Sequence, residues 1–174
     1  MTLDPLQLNE KGKESFQNAD YDEAAEFFRQ AAEAYALAKD EASAAESKNN
    51  MSVALLQTGK PQEAFDAALN TDAYFESIKD VRRQAMALGN QAAALEALDR
   101  LDEAAAAYER SAELFAQVNE GDMRAMVLKS SAAIKLKKGK VSEAAFKMMG
   151  SLEAKDNPGL FDRILKFFLR LIKK

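Results

Sequence analysis

Few side chains in this 174-residue chain could perform chemistry on a substrate. The sequence contains no histidine and no cysteine, which removes the commonest general base, the commonest metal ligand and every thiolate nucleophile. Carboxylate pairs such as Glu23 and Glu26 have the spacing of an exposed helix face, without a glycine-rich phosphate loop or a nucleophile motif. The amides of Asn50 and Asn90 each offer a donor and an acceptor. The residues therefore predict a binding protein, with no enzymatic activity, no cofactor and no metal.

One spacing organises these residues along the chain. Glu-Ala pairs recur every 40 residues, beginning at Glu23, Glu63, Glu103 and Glu143, and Asn50 and Asn90 share that interval. A fixed period of this length indicates a repeat array, in which each unit is one supersecondary element and stacked neighbours share a core. Such arrays present a surface along their length, so binding is the function to expect first.

Composition predicts a helical protein of the cytoplasm. The chain is 48% hydrophobic and 30% charged, is rich in alanine and has few prolines and glycines. The segment Met1 to Glu10 shows no basic stretch followed by an apolar run, so no signal peptide is predicted. No segment approaches the roughly 18 uncharged apolar residues of a membrane-spanning helix.

The net charge of −4 hides a strong asymmetry. Residues 1–120 carry 11 basic and 23 acidic side chains, a net charge of −12, whereas residues 121–174 carry 13 basic and 5 acidic side chains, a net charge of +8. This polarity indicates a charged partner surface or head-to-tail contact between copies. Aromatic residues do not interleave with the lysines, so nucleic acid is not a predicted partner.

Each repeat is predicted to hold two helices, because apolar residues recur three and four apart between turn signals. Gly59-Lys60-Pro61 and Gly139-Lys140 mark turns within units, and Lys39-Asp40 and Lys79-Asp80 mark turns between units. First helices are predicted at 5–19, 42–58, 81–98 and 123–138, and second helices at 21–38, 61–78, 101–118 and 141–155. After the break at 156–159, a further helix is predicted over 160–174.

In this arrangement the chain resembles the tetratricopeptide repeat family. The third unit matches the family pattern best, with Leu88, Ala92, Leu95, Ala104 and Tyr108 in the expected order. The first and fourth units carry corresponding residues: Leu8, Gly12, Ala24 and Phe28, and Leu128, Ala132, Ala144 and Met148. The second unit departs most, because Lys48 and Ala68 replace two large apolar residues. The 40-residue period resembles the longer-helix variants of kinesin light chains and vesicle-fusion adaptors, whereas the usual period is about 34 residues.

The resemblance implies an all-α fold. It predicts a right-handed helical-repeat solenoid over residues 1–155, with four helix-turn-helix units near 5–38, 42–78, 81–118 and 123–155. A C-terminal amphipathic helix over 160–174 would then cap the array or dock elsewhere.

The resemblance also implies a concave groove, lined by the first helices, that holds a peptide or helix. The residues that it places in this groove are Asn9, Lys13, Asn49, Asn50, Val53, Gln57, Met86, Asn90, Ala93, Ala97, Met126, Lys129, Ser130 and Ala133. Asn50 and Asn90 resemble the asparagines that hold an extended peptide backbone in longer-helix members, although they could instead bond neighbouring helices. The family's clamp for acidic chaperone C-termini is not predicted, because Met86 and Asn90 stand where it needs two basic residues.

The last helix is strongly amphipathic. Five basic residues and one acidic residue fall within an arc of about 120° at 100° per residue, and apolar residues cover the remainder. This pattern is typical of a helix in a membrane interface. The residues assigned to membrane binding or self-association are Phe161, Ile164, Leu165, Phe167, Phe168, Leu171 and Ile172. A terminal helix that simply caps the last repeat remains the third interpretation.

The sequence thus predicts a protein–protein interaction scaffold that holds a partner peptide or helix in its concave groove. The alternative function is a peripheral membrane adaptor, docked on anionic lipid through the last helix or self-associating through it.

Overall fold

The computed structural model describes residues 4–155, 158–159, 162, 165–166 and 169. Residues 4–155 form nine α-helices and no strand. Short turns join these helices, and most consecutive helices pack against each other along the array. The helices are α1 (Pro5–Gln17), α2 (Tyr21–Leu37), α3 (Glu41–Gln57), α4 (Pro61–Ala68), α5 (Thr71–Ser77), α6 (Val81–Ala97), α7 (Leu101–Gln117), α8 (Gly121–Lys137) and α9 (Val141–Ala154).

The turns follow one design. A residue with positive φ, between 58° and 72°, ends a helix at 20-residue intervals, at Ala19, Lys39, Gly59, Lys79, Asp99, Asn119 and Gly139. At each turn the N–H of the following residue donates to the carbonyl five positions earlier, over 2.9–3.0 Å. This is the Schellman closure of a helix C-terminus. Because the turns share one geometry, the helical hairpins repeat at a regular interval.

Small residues set the distance between paired helices. Ala24, Ala64 and Ala104 are completely buried. A Cβ added to Gly12 would lie 2.7 Å from the ring of Phe28, so only glycine lets these two residues approach so closely. Tyr108 occupies the position of Phe28 in the third unit and is also buried. The array is therefore an all-α helical solenoid whose alanine and glycine positions lie at helix-packing interfaces.

The second unit departs from the pattern. The prediction of one helix over 61–78 is wrong, because Leu69 is extended (ψ 132°) and Asn70 is left-handed (φ 63°), which separates α4 from α5. The carbonyl of Ala68 is consequently free of the helix and accepts from Thr71 Oγ1 (2.7 Å) and Gln91 Nε2 (2.9 Å). The ends of the other predicted helices within residues 4–155 differ from the observed ends by at most two residues.

Part of the last segment contacts α9. Asp162, Leu165, Lys166 and Leu169 are helical and half-buried. Lys155 Nζ donates to Asp162 Oδ2 (2.8 Å), and Lys166 Nζ lies 3.8 Å from Glu153 Oε1. The other residues assigned to membrane binding or self-association lie outside the described residues, namely Phe161, Ile164, Phe167, Phe168, Leu171 and Ile172.

Candidate functional site: the groove surface

The first helices of the four units are α1, α3, α6 and α8, and each turns one stripe of side chains away from the core. On α3 this stripe contains Glu46, Asn50, Val53 and Gln57, which are spaced three and four apart and therefore share one helix face. We call the corresponding surface of the four helices the groove surface. The 40-residue period repeats each position of the stripe on the next first helix.

The repeat arranges the groove surface in rows that cross the helices. A polar row contains Asn50, Asn90 and Ser130, all half-buried. On one side of it lie Met86 and the exposed Met126, with Glu46 at the equivalent place on α3. On the other side lie Val53, Ala93 and Ala133, with Lys13 at the equivalent place on α1. Hydrogen-bonding groups thus lie between two largely apolar rows.

Most of the predicted groove residues are accessible on this surface. Asn50, Val53, Met86, Asn90, Ala93 and Ser130 are half-buried, whereas Lys13, Gln57, Ala97, Met126, Lys129 and Ala133 are exposed. Their roles in binding stay a prediction.

Asn9 and Asn49 differ from the expectation, because they are only 8% and 7% exposed and so lie in the helix packing. Each precedes its stripe position by one residue, a rotation of about 100° toward the neighbouring helix. Asn49 Nδ2 donates to Ala45 O (3.1 Å), and Asn49 Oδ1 accepts from Thr71 Oγ1 (3.2 Å). Both side chains thus lie mainly in the helix packing, and Asn49 also borders a cavity between α3 and α6, so that the roles of both in binding stay a prediction.

The two predicted peptide-binding asparagines differ in their partners. Asn90 Nδ2 lies 3.5 Å from Asn49 Oδ1, a long hydrogen bond between α6 and α3. The amide of Asn50 makes no side-chain hydrogen bond to any residue in the described part of the chain. The side-chain donor and acceptor of Asn50 thus have no partner among the described residues, whereas Asn90 takes part in the contact between first helices.

Asn50 borders two cavities that open on the groove surface. One, of about 240 Å³, lies between the first two units, and its lining residues are Lys13, Phe16, Gln17, Phe28, Asn50 and Val53. The other, of about 110 Å³, lies between α3 and α6, and its lining residues are Glu46, Asn49, Asn50, Phe75, Arg82, Arg83, Met86 and Asn90. The contribution of Phe16, Arg82 and Arg83 was not predicted. Helical periodicity could have indicated it, because Phe16 follows Lys13 by three residues and Arg82 precedes Met86 by four.

The cationic side chains near these cavities are already paired. Arg82 Nε lies 2.6 Å from Glu120 Oε1, and Lys13 Nζ lies 2.7 Å from Glu10 Oε1. Arg83 contacts Asp80 (3.0 Å) and Glu46 (3.5 Å). The cationic groups that border these two cavities therefore each have an acidic partner within the chain.

The junction of the third and fourth units has different residues at the positions that line the cavity between the first two units. Tyr108, which replaces Phe28 there, is 6% exposed, and its hydroxyl donates to Glu96 Oε2 over 3.2 Å. Burial and the nearby Glu96 carboxylate raise the pKa of the Tyr108 hydroxyl above its usual range. The hydroxyl therefore stays protonated and donating at neutral pH.

Other kinds of site find no support in the described residues. Within those residues, no three acidic, histidine or cysteine side chains are placed to share a metal ion. None of the helices in the same part of the chain combines the length and the apolar character needed to cross a bilayer.

Solved structures show what this arrangement resembles. The chain has a TPR-like fold. A crystal structure of a kinesin light chain candidate from Podosopora anserina, with nearly identical TPR-like repeats, matches 95% of this chain over 93% of its own length, with a TM-score of 0.55 and 16% identity. Its Q17M form matches 99% of this chain over 97% of its own length, with a TM-score of 0.56 and 15% identity. At this identity the likeness shows the fold alone.

Sequence comparison adds nothing further. No protein-family model matches the chain, and no curated protein matches it.

Proposed function

We propose that the chain is a non-enzymatic protein-interaction scaffold that binds an extended segment of a partner protein along its groove surface. The observation that carries this proposal is the polar row Asn50, Asn90 and Ser130 between two largely apolar rows. The TPR-like fold, known from proteins with repeated helical hairpins, is consistent with a binding role.

An extended segment suits this surface better than a helix. The backbone N–H and C=O groups of a helix are satisfied within the helix, whereas those of an extended chain need partners. The Asn50 amide can supply both a donor and an acceptor. An extended chain advances about 3.3 Å per residue, so a segment that lies across the first helices can present several backbone groups to the polar row.

Selection from a random dodecapeptide library tests the proposal. We expect peptides selected on the intact chain to lose at least about tenfold in affinity for the Asn50→Ala/Asn90→Ala variant, since each lost hydrogen bond to a ligand costs about 1 kcal/mol and the variant removes two amides. The matched control replaces two exposed amides elsewhere, Asn18→Ala and Gln117→Ala, and should leave the affinity unchanged.

Two results would contradict this assignment. Equal affinity of the selected peptides for the double variant and the intact chain would exclude the polar row as the binding element. A large drop in the melting temperature of the double variant alone would show that these amides serve helix packing, in line with the Asn90–Asn49 contact.

A further inference from the structure

We infer that the 240 Å³ cavity between the first two units, here the anchor cavity, receives one uncharged apolar side chain of the bound segment. This inference rests on the proposed function and adds to it the chemistry of the partner. The anchor cavity is smaller than the roughly 300–1,000 Å³ typical of pockets for drug-sized ligands. Its size suits a single side chain.

The apolar walls of the anchor cavity are held in place by the fold. Phe28 is 3% exposed and lies against Gly12, whose missing side chain makes room for the ring. The ring of Phe16 packs edge-on against Tyr21, with centroids 5.2 Å apart. Val53 on α3 completes the opposite wall. A ligand side chain thus meets a formed surface and does not have to order it, which favours binding.

The charges around the cavity argue against an acidic ligand. Lys13 is the single charged residue in its lining, and Glu10 already pairs with that ammonium group at 2.7 Å. In the adjoining cavity, Glu120 pairs with Arg82, and Asp80 and Glu46 pair with Arg83. An incoming carboxylate would have to compete with these acidic partners, whereas an apolar side chain gains contact with Phe16, Phe28 and Val53 without that competition.

The equivalent positions in the other units do not reproduce the anchor cavity. At the next junction Leu56 and Ala68 stand in place of Phe16 and Phe28. At the third junction Glu96 and Tyr108 stand there, and they bond to each other. Aromatic side chains from both helices thus meet at the first junction. Asn50 borders the anchor cavity, so a segment whose backbone contacts its amide places an adjacent side chain at the opening.

Fluorescence titration with two blocked pentapeptides tests the inference. The chain contains no tryptophan, so tryptophan emission reports only the probe. We expect Gly-Ser-Trp-Ser-Gly to bind at least about tenfold more tightly than Gly-Asp-Trp-Asp-Gly. Val53→Glu, which adds a carboxylate to the wall, should weaken the neutral probe at least about tenfold. Val141→Glu, a matched change at a residue of α9 that is 59% exposed, should have no effect.

Each other outcome overturns the inference in a recognisable way. Tighter binding of the acidic probe would identify a cationic site, and no binding of the neutral probe would exclude the anchor. Unchanged binding in Val53→Glu, with loss in Asn50→Ala/Asn90→Ala, would exclude the cavity while the groove function stands. Loss in neither variant would contradict both proposals. If the intact chain forms a dimer and Val53→Glu causes it to dissociate, a second copy of the chain fills the cavity. If Val53→Glu unfolds, Phe16→Ala replaces it, with the same loss of binding expected.

Discussion

At the residue scale, the left-handed backbone conformation at the turns lowers the stability of the folded chain. Five of the seven left-handed residues at the 20-residue intervals are not glycine, and they include Lys39, Lys79 and Asp99. A residue with a Cβ loses roughly 1–2 kcal/mol in this conformation, and glycine avoids that loss. The Schellman hydrogen bonds and the packing of the flanking helices hold these residues there. Substituting glycine at these turn positions should therefore raise the free energy of unfolding.

We expect Lys79→Gly to raise the free energy of unfolding by about 1 kcal/mol, because glycine adopts positive φ without a Cβ clash. Lys48→Gly, at an exposed position inside α3, should instead lower it by about 1 kcal/mol. Urea denaturation of the two variants and the intact chain measures both changes. A loss of stability in Lys79→Gly as large as that in Lys48→Gly would contradict a left-handed residue at position 79.

At the element scale, the division between α4 and α5 is the main irregularity of the array. In the third and fourth units, Ser111 and Ser151 donate to the carbonyls of Ala85 and Ala125 on the preceding first helix, at 2.7 Å in each case. Thr71, at the equivalent position, instead approaches the Asn49 amide and the freed carbonyl of Ala68. The second unit thus lacks the hydrogen bond to the preceding first helix that the third and fourth units make. In its place, a network of hydrogen bonds stabilises the break between α4 and α5.

Gln91 on α6 is the long-range member of this network. Its Nε2 donates to Ala68 O (2.9 Å) and to Asp72 Oδ1 (2.6 Å), so it joins α6 to both sides of the break. We expect Gln91→Ala to lower the free energy of unfolding by about 1–2 kcal/mol, since half-buried groups lose a partner.

Gln62→Ala serves as the control, because Gln62 makes an exposed bond to Asp66 within one helix, and it should cost less than about 0.5 kcal/mol. Urea denaturation compares the two variants. Equal stabilities would show that the Gln91 bonds do not hold the break.

At the scale of the whole molecule, the basic C-terminal part is assigned either to capping the fourth unit or to docking elsewhere, on lipid or on a second copy. The ion pair between Lys155 and Asp162 and the half-buried Leu165 and Leu169 support a cap on the fourth unit. The net charge of +8 over residues 121–174 and the amphipathic pattern are the features that favoured an anionic lipid surface. These assignments differ in what the array needs for its own stability.

A chain that ends at Asp156 distinguishes the two. If the removed segment caps the fourth unit, we expect the melting temperature to fall by several degrees, because its removal exposes apolar surface of α9. The intact chain is compared with the truncated chain by thermal melting and by flotation with anionic and neutral liposomes. An unchanged melting temperature, together with loss of flotation on anionic liposomes or loss of a larger species in solution, would assign the segment to lipid or self-association.

The sequence alone determined the period, the all-α fold and most helix ends. These features depend on local signals: apolar residues three and four apart, small residues such as Gly12 and Ala104 at close contacts, and turn signals every 20 residues. The break after Ala68 had a local signal too, since Asn70, Thr71 and Asp72 are weak helix formers that bond readily to nearby backbone. That signal could not decide the outcome, because the freed carbonyl also needs the partner that Gln91 supplies from α6.

Only the tertiary structure decided which polar side chains have hydrogen-bond or ion-pair partners within the described part of the chain. Asn49 and Asn50 are adjacent and identical in type, yet the buried amide of Asn49 bonds to Ala45 and Thr71, whereas Asn50 is half-buried and makes no such bond among the described residues. Arg82 stands beside the groove, but Glu120, 38 residues away, compensates its charge. Rotation about the helix axis and pairing with a distant carboxylate both depend on how neighbouring units stack, which a residue's own sequence context does not record.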